Sequence, residues 1–143
     1  MTKTIAHIIT VSFTSILLCS SIASADVIED RKAGFRGNVT ALKAIRAAMS
    51  ENDTATIATN AGKIAAWFDV MPNYFPEGSN TGKTNARPEI WTNWEKFTSI
   101  SATARQSALD LAMAANAGDS DGINAGFQAV AGTCKTCHQS FKN

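Results

Sequence analysis

From about residue 35 onward, apolar side chains return along the chain at alternating steps of three and four. Phe35, Val39, Leu42, Ile45 and Met49 make one such run, and Ile57, Ala61, Ile64, Phe68 and Met71 a second. Ile90, Trp94, Phe97, Ser101, Ala104, Ala108 and Leu111 make a third, with a polar lapse at Ser101. Ile123, Phe127, Val130, Cys134, Cys137 and Phe141 make a fourth. Steps of three and four hold side chains on one face of a 3.6-residue helix, and so narrow a stripe is the seam of an antiparallel bundle. No stretch alternates with the two-residue period of a strand.

Helix breakers stand where the runs end. The stretch SENDT separates the first two runs and AGDSDG the last two. All three prolines, Pro72, Pro76 and Pro88, fall between the second and third runs, with Gly78 and Gly82 among them. That predicts a loop of roughly fifteen residues, long enough for a compact domain to suggest a functional role. Pro88 suits a helix start. Short first and last links make sequence neighbours antiparallel, so the expected fold is all-α, an up-down-up-down four-helix bundle.

The first 25 residues carry a different pattern. Lys3, an apolar run from Ile8 to Cys19, and Ala23-Ser24-Ala25 before Asp26 read as a cleavable secretory signal. The apolar run is short for a bilayer span, which takes about 20 residues. The expected mature chain is residues 26–143, one domain by size, exported and without a membrane anchor after cleavage. It keeps 12 basic against 12 acidic residues and has no basic stripe, which argues against nucleic acid as a partner.

Removing the signal also removes Cys19 and His7, which leaves Cys134, Cys137 and His138 as the last cysteines and the last histidine. They stand together as Cys-Lys-Thr-Cys-His. A disulfide across so short a gap would cross-link little, and a zinc site would need a fourth Cys or His that does not exist. C-x-x-C-H is the attachment pattern of haem c: the two thiols add to the vinyl groups and the adjacent imidazole takes one axial position of the iron. The expectation is one covalent haem c through Cys134 and Cys137, with His138 as the metal ligand, near the end of the fourth helix. In the bundle topology, nine of the ten aromatic residues beyond the signal map to that same end, Phe127 being the exception.

The other axial position has few candidates. Only five residues follow His138, so the distal side must be covered by earlier helices. Met49 and Met113 map to the far end of the bundle; Met71 maps to the haem end, as the last residue of a seam. Phe35 lies on the inward seam of the first helix at the haem end, and a phenyl ring cannot ligate iron. Arg31, one helical turn before it, is placed to reach a haem propionate or to stand as a surface charge. Peroxide cleavage asks for a distal acid–base group, usually histidine, and none remains, so the chain does not read as an enzyme.

With VIEDRKAGF near the start, ARPEIW before the third helix and GFQAVAGTCKTCHQSFK at the end, the chain resembles the cytochrome c′ family of class II c-type cytochromes. In that family an arginine at the haem edge precedes a bulky apolar distal residue by four positions, and Arg31 and Phe35 match that pair. The resemblance further implies that Lys32, Arg87, Ile90, Trp91 and Phe141 line the haem. It implies a periplasmic protein with a five-coordinate, high-spin iron that binds NO and CO, discriminates against O₂ and is capable of electron transfer. Homodimers through the first two helices are implied as well. Family members often carry an arginine four residues after the proximal histidine; Lys142 stands there, a charge without the planar guanidinium. A low-spin electron carrier with Met71 as sixth ligand is the alternative.

Overall fold

The computed structural model describes residues 20–143, with side chains from Val27 onward. Four long helices carry the fold: α1 (Ser20–Glu51), α2 (Thr54–Val70), α4 (Trp94–Ala117) and α5 (Ser120–Phe141). A one-turn helix α3 (Glu89–Thr92) precedes α4, and a 3-10 turn (Met71–Tyr74) extends α2. The expected signal segment lies mostly outside the described residues; α1 begins at Ser20, before the expected cleavage point.

The links form as their residues dictate. Asn52 takes a left-handed φ of 54°, and the Asp53 side chain then caps α2 by accepting from the Thr56 amide at 3.0 Å. Gly118, at φ 68°, ends α4 in the left-handed conformation that favours glycine, and Asp119 caps α5 by accepting from the Gly122 amide. Both links are too short for anything but an antiparallel return.

The core runs through α2 and α4. Ile57, Ala61, Ile64 and Phe68 of α2 meet Phe97, Ala104, Ala108 and Leu111 of α4, all buried. The polar lapse at Ser101 is resolved by its hydroxyl, which donates to the Phe68 carbonyl at 2.8 Å. Gly126 lets α5 close onto α4: a Cβ there would stand 3.0 Å from Cα and Cβ of Leu111.

Two expected seam positions fall elsewhere. Trp94 is 41 % exposed, because the helix breaks at Asn93 (φ −126°, ψ 46°) and α4 restarts in a new phase from α3. Val39 is 52 % exposed, and the buried stripe of α1 passes instead through Arg31, Asn38, Ala41, Ile45 and Ala48. Helix neighbours α1–α2, α2–α4 and α4–α5 pack side by side, but no Cα of α1 comes within 8 Å of a Cα of α5 among the described residues. Packed helix axes ordinarily lie 8–10 Å apart, which brings facing Cα atoms closer than that. The bundle is therefore open along its α1–α5 edge.

Candidate functional site

Cys134, Cys137 and His138 occupy the last two turns of α5, the helix on one side of that open edge. Both cysteines are half-buried free thiols. Burial pushes both thiols up, Cys137 to about 11, where the neighbouring Cys134 adds to the effect. Partial desolvation of the imidazole, and then the Lys142 charge, lower the His138 pKa, which favours the neutral ring that a metal requires. Among the described residues no three His, Cys, Asp or Glu side chains gather into a metal site of their own.

The end of α5 is tied to the long loop. Ala86 and Lys142 form an antiparallel bridge, the Arg87 amide donates to the Phe141 carbonyl at 3.0 Å, and the Asn143 amide donates to the Asn85 carbonyl at 2.9 Å. The Lys142 amide also caps the His138 carbonyl. These bonds fix the turn of α5 that carries the histidine. Phe141, three residues on, is buried edge-on against Phe97 at 5.4 Å.

The aromatic residues expected at this end do converge. Phe35 packs edge-on against Trp67 at 5.6 Å and Phe75 at 6.5 Å; Phe75 meets Trp91 and Phe97; Trp67 meets Tyr74 at 5.0 Å. Trp91 donates its indole N–H to the Phe75 and Pro76 carbonyls, and Ile90 is buried beside it. Gly34 permits the close approach on α1, since a Cβ at this position would run into the Trp67 ring.

Arg31 is 2 % exposed, which excludes the surface-charge role for it. Its guanidinium lies 4.6 Å above the Phe75 ring and donates to Ser79 Oγ at 3.0 Å, the Ser79 carbonyl at 2.8 Å, Thr84 Oγ1 at 2.6 Å and the Tyr74 carbonyl at 3.5 Å. The planar fork thus holds the loop to α1, and the Nε–H is left over among the described residues. Desolvation lowers the Arg31 pKa, far from enough to discharge it. Lys32 pairs with Glu29 at 2.7 Å and Arg87 with Glu89 at 2.9 Å, both partly exposed and of small energetic weight. Met71 is 1 % exposed in the apolar core, and Met113 is 59 % exposed.

Two features escaped the sequence reading. The indole N–H of Trp67 and the amide NH₂ of Asn38 are buried with no hydrogen-bond partner among the described residues. A buried donor without an acceptor is costly, so each calls for an explanation. Asn38 was legible as the residue seven beyond Arg31 on the same helical face; nothing in the spacing marks Gly34 or the Trp67 donor.

These observations fit a haem. The open α1–α5 edge gives room for a flat group between two helices. The thiol pair and imidazole on α5 give its anchors, the ring cluster gives an apolar wall, and the Trp67 N–H lacks the acceptor that a propionate would bring. Residues 26–142 match the cytochrome c′ family. Over 134 residues the chain is 34 % identical to cytochrome c′ of Rhodospirillum rubrum, covering 92 % of this chain and 91 % of that one. It superposes with a TM-score of 0.78 and 26 % identity on a cytochrome c′ known for ligand-controlled dimer dissociation, covering 86 % of this chain and 98 % of that one. With a TM-score of 0.75 and 25 % identity, over 84 % of this chain and 95 % of the other, it also superposes on a ferrous variant of cytochrome c′ from Alcaligenes xylosoxidans with NO bound. The chain belongs to the cytochrome c′ family, a four-helix bundle carrying one haem c joined to it through Cys134 and Cys137.

Proposed function

We propose that this protein is an exported, periplasmic gas-binding cytochrome whose iron is five-coordinate, with His138 on one side and a crowded, protein-free position on the other. The observation that carries this reading is Phe35. It stands at the haem end of α1, fixed between Trp67 and Phe75, on the helix across the open edge from His138. A phenyl ring has no lone pair for iron, and Met71, the one methionine at this end among the described residues, is buried in the core.

The haem supplies an iron with one position free for a diatomic ligand and a redox couple for electron transfer. The chain does the rest. Cys134 and Cys137 would fix the macrocycle to α5 and His138 would give the iron its proximal nitrogen, with the bridge from Ala86 to Lys142 holding that turn in place. Phe35 would screen the distal face, so that a ligand would have to displace the ring or slip past it. CO and NO tolerate such a site well, since neither depends on a strong polar partner. The NO-bound relative from Alcaligenes xylosoxidans supports NO as a ligand class. The dimeric relative supports a second copy of the chain as partner. The exposed Val39 of α1 is consistent with a contact through the first two helices.

Stopped-flow CO binding to the reduced protein and to Phe35→Ala tests the reading. The account expects faster association in the variant, by at least tenfold, with an unchanged high-spin spectrum. Equal rates would remove Phe35 from the distal face.

A further inference from the structure

One polar side chain shares a helical face of α1 with Phe35. Asn38 is 8 % exposed, and its amide nitrogen is fully buried with no hydrogen-bond partner among the described residues. It occupies the buried stripe of α1 in a place where the neighbouring Val39, 52 % exposed, would satisfy an ordinary core. At 3.6 residues per turn, Asn38 lies about 60° around the helix from Phe35 and about 4.5 Å further along it. Arg31, Phe35, Asn38 and Leu42 then share one face, spanning about 60° of the helix circumference. The helix that carries this face nowhere approaches α5 closely among the described residues.

A buried NH₂ without an acceptor costs stability, and natural structures keep few of them. An acceptor that arrives with a ligand would satisfy it. We propose that the Asn38 amide is a hydrogen-bond donor to the ligand at the distal position. It would favour small anions, and ligands whose outer atom carries negative charge, over what a wall of Phe35 and Leu42 alone would hold. This rests on the reading that Phe35 covers the open position. Asn38 is buried and Phe35 only half-buried, so on this proposal the ring would govern entry and the amide what is held. Access and retention are then set by different residues.

The test uses the haem-loaded protein, native and Asn38→Leu, which keeps the branched shape and removes the donor. The C–O stretching frequency of the reduced CO complex should rise in the variant, because a donor to the bound CO lowers it. Fluoride affinity of the oxidised protein should fall about tenfold, the scale of one hydrogen bond to a charged partner. The thermal midpoint should hold or rise, since an unpartnered buried amide has gone. Asn38→Ala should shift both ligand readouts the same way. Unchanged C–O stretch and fluoride affinity, with CO association still accelerated in Phe35→Ala, would overturn the role of Asn38 and leave the open site standing. If the native protein bound neither CO nor fluoride, the open site and the donor would fall together.

Discussion

The two sides of the bundle are built on opposite plans. Between α2 and α4 the facing residues are apolar and buried, and the one polar member, Ser101, bonds a carbonyl of the opposite helix. Between α1 and α5 the helices stand apart, and the stripe of α1 carries Arg31 and Asn38 where a packed seam would carry aliphatic side chains. One side closes chiefly by burial of apolar side chains. The other stays open, and Arg31 on its α1 side is bonded to the loop. A bundle of this size holds a large flat cofactor by giving up one of its four seams and keeping the other three.

The contrast breaks most sharply at the anchors. Replacing both Cys134 and Cys137 by serine should abolish covalent haem, read as loss of the haem mass from the denatured chain, while His138→Ala should lose the iron's proximal nitrogen. On the closed side, Leu111→Ala should cost about 3 kcal/mol by denaturant titration, since a fully buried leucine leaves a cavity. The CO-binding behaviour should stay the same. Arg31→Met should cost about 2 kcal/mol, because the Ser79 and Thr84 acceptors lose a charged donor. Its distinctive mark is faster proteolysis within residues 76–88, which Leu111→Ala should not share at equal stability. Gly126→Ala should cost about 1 kcal/mol, as α5 shifts off Leu111 by a few tenths of an ångström. If Leu111→Ala altered ligand binding as strongly as Phe35→Ala, the division between the two sides would be wrong.

The closed side was the legible one. In α2 and the turn that extends it, every seam residue from Ile57 to Met71 is buried as its spacing predicts, because two apolar faces in contact leave no other solution. The haem attachment was equally legible, since Cys134, Cys137 and His138 are adjacent in sequence and need no tertiary information. On the open side, periodicity misled. Val39 continues the apolar rhythm of α1 but faces outward, and Asn38 lies within. The break at Asn93 exposes Trp94 for a local backbone reason that no apolar count reveals. The spacing marks Arg31 as one turn before Phe35, yet its three bonds to Ser79 and Thr84 depend on where those residues fold, some fifty residues away. Spacing along one helix sees its own face, and the loop lies beyond its reach.

The central claim is that the open edge holds an iron with a free sixth position. The most direct measurement is the optical spectrum of the purified protein, oxidised and reduced, before and after CO. The account predicts broad high-spin bands and a rapid, complete change when CO meets the reduced form. Sharp low-spin bands, a sulfur-to-iron charge-transfer feature in the oxidised form and no response to CO would contradict it. Such a result would place a methionine, with Met71 the candidate at this end, on the iron and make the protein an electron carrier.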